Sequence, residues 1–209
     1  CICATIALSV LLTGISTKKR KYLFLMEIGS AFLIMIDRIT YILDSSPTEL
    51  GFCMMKIGCC LLFFSPPFVI FAFSQYLRQI FAETEDLPNN LKRFSIINII
   101  TVFAEIMIII SQFTGFYYTF DETHTYHRGA GSLIAFGLPL LAVLILLSLN
   151  VQYYSRIPKR MRLLLLLFTI NPFVSTIYQL LYYGYEAVNI TIAAMAVLLY
   201  VFDLLDLRH

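Results

Sequence analysis

One apolar stretch of the chain carries three charged residues and constrains the fold more than any other feature. It runs from Lys21 to Asp44, KYLFLMEIGSAFLIMIDRITYILD. A membrane-spanning helix takes about 20 mostly apolar residues, so this stretch is long enough to cross a bilayer. Glu27, Asp37 and Arg38 lie inside the crossing. Each such charge costs roughly 2.5–3.5 kcal/mol on insertion scales, so the charged stripe must face other helices or water rather than lipid.

The composition indicates that the rest of the chain belongs in a membrane as well. Of the 209 residues, 59% are hydrophobic and 13% are charged, and the mean hydropathy is +0.82. A soluble domain has about 45–50% apolar and about 25% charged residues. The five cysteines lie in apolar runs without C-x-x-C spacing, so we expect them to behave as small hydrophobic residues. We therefore expect an integral membrane protein with no metal or other cofactor and no nucleic-acid partner.

The apolar runs predict an all-α fold, a seven-transmembrane helix bundle that forms a single domain over 1–209. Paired prolines at 66 and 67 predict a kink or break in the third helix, and Asn171-Pro172 predicts an interruption of the sixth. Residue 1 is not methionine, so the first helix is expected to be clipped. The predicted helices cover about 1–16, 22–44, 51–81, 94–116, 132–154, 163–183 and 189–205.

Lysine and arginine are distributed unequally between the two sides of the predicted bundle. All but three of the fifteen lie in alternate loops on one side or at the C-terminus. Arg128 alone lies in a loop of the other side, while Arg38 and Lys56 lie within crossings. Because Lys and Arg accumulate in cytoplasmic loops, the N-terminus is predicted to be outside and the C-terminus in the cytoplasm.

Four polar residues at the outer ends of the second and third helices are candidate ligand-binding residues: Asp37, Arg38, Tyr41 and Lys56. They fall at similar depths, so they are expected to form one cluster. The cluster is either a pocket open to the outside, where Arg and Lys suit an anionic ligand, or an ion-pair network that fixes helix packing. Lys56 alone has a third interpretation, since its side chain can extend to the outer membrane interface.

Deeper polar residues predict an intramembrane polar network of Glu27, Ser30 and Glu105. Glu27 is near the cytoplasmic side and is expected to serve packing or transmission. Glu105, in the middle of the fourth helix, suits either a proton or cation path or a protonated carboxyl that hydrogen-bonds a neighbouring helix. The sequence shows no chain of further carboxylates at its depth, which favours the second interpretation.

The longest polar connection, YYTFDETHTYHRGAG, contains two histidines on the predicted outer side. His124 and His127 are candidate sensing residues, because histidine titrates near neutral pH. Together with Asp121 and Glu122 they form an alternative zinc site, but their spacing does not single out a metal. A solvated polar loop is the default interpretation.

Three stretches of the chain resemble a bacterial signalling family: MEIGSAFLIMIDRITYI (26–42), ISQFTGFYYTFDETHTYHRG (110–129) and RIPKRMRLLLLLFTINPFVSTIYQLLYYG (156–184). They look like the N-terminal seven-helix input regions of sensor histidine kinases and GGDEF diguanylate cyclases. The resemblance covers nearly the whole chain, and the second stretch is the most specific. It implies a multi-pass protein of the bacterial plasma membrane, a homodimer, and a cytoplasmic output domain later in the same chain.

The first functional hypothesis is therefore a sensory input module that passes an extracellular or intramembrane stimulus, such as a small ligand, to that output domain. The chain stops where a linker would begin, so we expect it to be part of a longer signalling protein. No kinase, cyclase, protease or Walker motif is present, and no enzyme activity is expected for this region. The alternatives are a small-molecule or ion transporter, suggested by proline-interrupted helices and intramembrane charges, and a purely structural anchor.

Overall fold

The computed structural model describes residues 17–43, 48–83, 92–157, 159–181 and 187–207. This part of the chain contains six helices and one β-hairpin. The helices are α1 (Thr17–Leu43), α2 (Glu49–Glu83), α3 (Lys92–Thr114), α4 (Ser132–Gln152), α5 (Lys159–Leu181) and α6 (Ala187–Leu207). The hairpin, between α3 and α4, consists of β1 (Tyr118–Phe120) and β2 (Tyr126–Arg128). The first predicted crossing, about 1–16, lies outside the described residues.

Four of the helices contain segments long and apolar enough to cross a membrane. These segments are Glu49–Glu83, Lys92–Thr114, Ser132–Gln152 and Met161–Tyr178, and α6 contributes the shorter apolar segment Asn189–Phe202. Helix α1 is less apolar than these, because it contains seven charged residues: the four basic residues 18–21 and, further along, Glu27, Asp37 and Arg38. The expectation of a helical membrane protein is supported at this level.

Two predicted features of the helices are wrong. Helix α1 begins at Thr17, so the basic residues 18–21 belong to the helix rather than to a loop. Lysine and arginine are good helix formers, and the apolar run alone does not mark where a helix begins. The interruption predicted at Asn171-Pro172 is absent, because α5 is continuous through Pro172. Helix α2 is also continuous through Pro66-Pro67, which excludes the break there and leaves the predicted kink untested. A break inside a bilayer would expose several backbone groups, whereas each proline removes only one donor from a helix that neighbours support.

Consecutive helices run in opposite directions. An ion pair between Lys19 and Glu83 joins the beginning of α1 to the end of α2. In the same way, Arg93 at the beginning of α3 donates a 2.7 Å hydrogen bond to Gln152 at the end of α4. Hence the beginnings of the odd-numbered helices and the ends of the even-numbered helices share one end of the bundle. We call it the basic end, because nearly all lysines and arginines fall there, and we call the opposite end the hairpin end.

The six helices form a closed ring. Each helix packs against the next along the chain, α6 returns to pack against α1, and α2 also contacts α4. Polar contacts inside the bundle accompany several of these interfaces. Gln75 of α2 donates to Asn98 of α3 at 2.8 Å, and Asn150 of α4 donates to the Leu165 carbonyl of α5 at 3.2 Å. Hydrogen bonds of this kind fix helix register where lipid provides no hydrophobic drive for association.

Candidate ligand-binding site at the hairpin end

The hairpin replaces what the sequence predicted as a solvated loop. Gly115 ends α3 in the left-handed region, with φ of +65°, a conformation that glycine adopts without steric cost. The Ser111 hydroxyl then accepts a 2.8 Å hydrogen bond from the Tyr117 amide. From there β1 pairs antiparallel with β2, Tyr118 opposite Arg128 and Phe120 opposite Tyr126. The alternation of aromatic and polar residues on both sides of DETHT is the sequence signal for this hairpin.

The Asp121 carboxylate holds the turn of the hairpin together. Its Oδ1 accepts hydrogen bonds from the Thr123 hydroxyl at 2.6 Å, the Thr123 amide at 2.9 Å and the Thr125 amide at 3.0 Å. Its Oδ2 lies 2.8 Å from Nε2 of His127. The Thr123 hydroxyl, His127 and the Thr125 amide together hold the pKa of Asp121 well below its usual range.

A depressed folded-state pKa makes the stability of the hairpin depend on pH in a defined direction. The contribution of Asp121 is present above its unfolded pKa of about 4 and is lost as the pH falls through the lower folded value. At neutral pH we expect D121N to increase amide hydrogen exchange over residues 117–129, whereas E122Q, a neighbouring exposed carboxylate outside these hydrogen bonds, leaves it unchanged. Equal exchange in the two variants would contradict this role for Asp121.

Aromatic contacts attach the hairpin to the helices. The ring of His124, a turn residue with φ of +62°, stacks on Phe52 of α2 with centroids 4.1 Å apart and planes 11° from parallel. Phe52 also contacts the ring of Phe120 edge-on, at 5.3 Å. On the other side, the guanidinium of Arg128 lies 5.4 Å from the ring centre of Phe136 in α4. The hairpin is therefore an ordered cap on α2 and α4.

A depression of about 260 Å³ opens where the hairpin meets α2 and α3. Lys56 is its one charged lining residue, and its exposed side chain forms no ion pair or hydrogen bond with the described residues. The Tyr118 hydroxyl donates to Oε1 of Gln112 at 2.8 Å. Burial raises the pKa of Tyr118, so this hydroxyl remains a donor at neutral pH. The full lining consists of Phe52, Lys56, Ser111, Gln112, Gly115, Tyr118, Thr119 and Phe120.

The four residues that were expected to form one outer cluster have different surroundings in the structure. Asp37 is only 4% exposed and accepts a 2.7 Å hydrogen bond from Nδ2 of Asn189 in α6. Nε of Arg38 lies 3.8 Å from the other carboxylate oxygen of Asp37, and Tyr41 is 76% exposed. Of the four, only Lys56 lines the depression. The Asp37 pair thus links α1 to α6, as in the packing interpretation, while Lys56 faces a site of its own.

The predicted intramembrane network does not form among the described residues. Both carboxylate oxygens of Glu27, the Ser30 hydroxyl and Oε2 of Glu105 are buried without a hydrogen-bond partner there. The helix faces that carry Glu27 and Glu105 therefore do not join them into one hydrogen-bonded system. Sequence periodicity in an almost uniformly apolar helix does not reveal which neighbour each face meets.

The two histidines of the hairpin have different partners, one stacking on Phe52 and the other pairing with Asp121. Within the described part of the chain, no three His, Cys, Asp or Glu side chains are grouped in a way that could hold a metal ion. The zinc interpretation of the loop therefore has no support in this geometry.

A second, smaller cavity of about 40 Å³ lies inside the bundle between α2, α4, α5 and α6. Pro66, Pro139 and Pro172, one from each of three helices, all line it. The remaining lining is apolar except for Thr169 and Thr176. Three proline positions that are distant in the sequence therefore meet around one gap in the packing.

Comparison with known proteins adds no relative. The chain matches no protein-family model, no curated protein and no solved structure. Any assignment of function therefore depends on the geometry described above and on the sequence motifs.

Proposed function

We propose that the chain is a membrane-embedded sensory input module that passes an extracellular or intramembrane stimulus to a C-terminal cytoplasmic output domain. The observation that carries the proposal is the depression beside Lys56. It lies at the end of the bundle opposite the basic residues, and an ordered hairpin forms part of its wall. A transmembrane input requires an open polar site at one end of the bundle and a C-terminal helix that ends at the other.

The proposal includes an orientation. The basic end faces the cytoplasm of a bacterial cell, in accordance with the preference of Lys and Arg for cytoplasmic loops, and the hairpin end faces outward. This orientation keeps the N-terminus outside, and the first predicted crossing, 1–16, lies outside the described residues. A reporter that is active only in the cytoplasm is then expected to function when it is fused after residue 209 and to fail when it is inserted into the hairpin turn.

Transmission from the hairpin end is supported by the packing of α1. Helix α2 carries Lys56 and Phe52 and packs against α1, and α1 packs against α6, where Asn189 holds Asp37. A ligand that favours one position of the hairpin relative to α2 would shift the balance between two packings of these three helices. The displacement would then leave the bundle at the C-terminal end of α6.

A transporter is the second candidate, and the convergence of Pro66, Pro139 and Pro172 on one cavity is the observation that favours it. Transporters use interrupted helices to bind substrate near the middle of the membrane, whereas the three helices that carry these prolines are continuous. The cavity is about 40 Å³ and no charged residue lines it, which suits a packing gap better than a substrate site. Uptake of a solute by the reconstituted protein would decide in favour of the transporter.

The experiment that tests the sensor is a fusion of the chain to a cytoplasmic diguanylate cyclase domain. Replacing residues 117–131 with a flexible glycine-serine linker removes the hairpin and leaves every helix in place. We expect cyclase output to change while the amount of protein in the membrane is maintained. Unchanged output at equal abundance would overturn the proposal that the hairpin end is the input.

A further inference from the structure

Glu27 is a completely enclosed carboxyl group that the proposed sensor does not use. It is 0% exposed, and neither of its carboxylate oxygens has a hydrogen-bond partner within the described part of the chain. Ser30 lies on the same face of α1 one turn later, is equally enclosed, and its hydroxyl is also without a partner there. The Glu27 carboxyl and the Ser30 hydroxyl, which can both form hydrogen bonds, thus share one buried face of α1. We call this buried face the seam.

The charged residues of α1 itself are too distant to compensate a charge on Glu27. The nearest are Lys21 and Arg20, six and seven residues before Glu27, or about 9 and 10 Å along the helix. Lys21 is exposed and Arg20 already has an interaction partner. Lys19 and Asp37 are further away and are paired with Glu83 and Asn189. A unit charge without a counterion in a low-dielectric interior costs several kcal/mol, and a carboxyl group avoids this cost by keeping its proton.

The helices packed against this part of α1 contribute few titratable groups at the same depth. A side-chain carbon on Gly29 would lie 3.1 Å from Val69 of α2, so these two residues lie at the same depth. Glu27 is therefore about level with the turn of α2 before Tyr76. Arg78 lies further towards the basic end. On α6, counting down from the Asn189 contact places Tyr200 at the level of Glu27, with Asp203 about one turn beyond. Neither tyrosine supplies a positive charge.

We propose that Glu27 is a proton-binding site inside the bundle, where the carboxyl group is held as the neutral acid at neutral pH. A metal cation is the less suitable occupant, because such ions take about six oxygen ligands and this seam offers the two carboxyl oxygens and the Ser30 hydroxyl. This assignment goes beyond the sensor proposal and does not depend on Lys56. When α1 separates from α2 and α6, water enters the seam and the proton leaves, so the packing of α1 is coupled to pH.

Infrared spectroscopy of the purified chain in lipid tests the assignment, using wild type, E27Q and E105Q. At pH 7 the wild type is expected to show the carbonyl stretch of a protonated carboxylic acid, and E27Q is expected to lose one such band. E105Q provides the matched control, because it removes the other membrane-embedded glutamate and must leave the Glu27 band in place. If E27Q instead lost a carboxylate band, Glu27 would be ionised and the proposal would be wrong.

A second measurement keeps the test valid if E27Q fails to fold. Dicyclohexylcarbodiimide reacts with protonated carboxyl groups in apolar surroundings, so on the wild-type protein its adduct is expected on the peptide that contains Glu27. Absence of this adduct at every pH would overturn the proposal. Protection by sodium chloride but not by choline chloride would do so as well, because it would identify a sodium ion rather than a proton as the occupant.

Discussion

Replacing Asn189 with alanine lowers the free energy of unfolding by about 3 kcal/mol, because it removes the partner of a buried carboxylate. Nδ2 of Asn189 donates a 2.7 Å hydrogen bond to Asp37, whose side chain is almost completely enclosed. Arg38 provides little compensation, since its Nε lies 3.8 Å away and its side chain is 61% exposed. Equilibrium unfolding of the purified protein in mixed micelles measures the difference.

Asp37 offers the matched variant for this prediction. D37N removes the charge and retains hydrogen-bonding groups. It is therefore expected to lower the free energy of unfolding less than N189A, which leaves the buried Asp37 carboxylate without its partner. In a double-mutant cycle, D37A combined with N189A is expected to cost less than the sum of the two single changes, because the partners share one interaction. Additive costs would contradict the contact between α1 and α6.

Replacing Gly129 with alanine displaces the hairpin and has the largest expected effect on the candidate site. An added side-chain carbon would lie 2.8 Å from the Gly115 carbonyl oxygen and would collide with the Phe116 carbonyl. Both obstacles are backbone atoms, and the Phe116 carbonyl also accepts a 2.8 Å hydrogen bond from the Gly131 amide. Overpacking against atoms that cannot move aside costs about 1–3 kcal/mol, so we expect residues 115–131 to lose protection from hydrogen exchange.

Gly137 of α4 is the control for this substitution. No atom lies within 4 Å of an added side-chain carbon there, and alanine is favoured over glycine in a helix by up to about 1 kcal/mol. G137A is therefore expected to leave the hairpin unchanged and to stabilise α4 slightly. Equal protection of the hairpin in G129A and G137A would contradict its tight docking on the end of α3.

The features predictable from the sequence are those that depend on local composition. The length of each apolar run locates α2 to α6 to within a few residues, because a helix long enough to span a bilayer needs an uninterrupted apolar stretch. Of the charged stripe of α1, Glu27 and Asp37 are covered by other helices as expected, whereas the Arg38 side chain is 61% exposed. The partner of Asp37, however, is Asn189, 152 positions later, and no local pattern singles out that asparagine.

Within the candidate site, the direction in which the Lys56 side chain points also could not be predicted from the sequence. Depth along α2 was predicted to place Lys56 beside Asp37, but depth does not determine rotation about the helix axis. Helix α2 is apolar on every side, so its pattern leaves that rotation undetermined. The hairpin, which supplies Tyr118, Thr119 and Phe120 to the depression, was expected to be a loop because its strands are only three residues long.

The central claim is that the depression beside Lys56 controls output at the opposite end of the bundle, and a comparison of two lysine variants tests it most directly. In the cyclase fusion, K56M is expected to change output by at least about fivefold, the lower range of coupling between distant sites. K92M removes an exposed lysine at the basic end and is expected to leave output near the wild-type value. Equal output from wild type, K56M and K92M at equal abundance would contradict the claim.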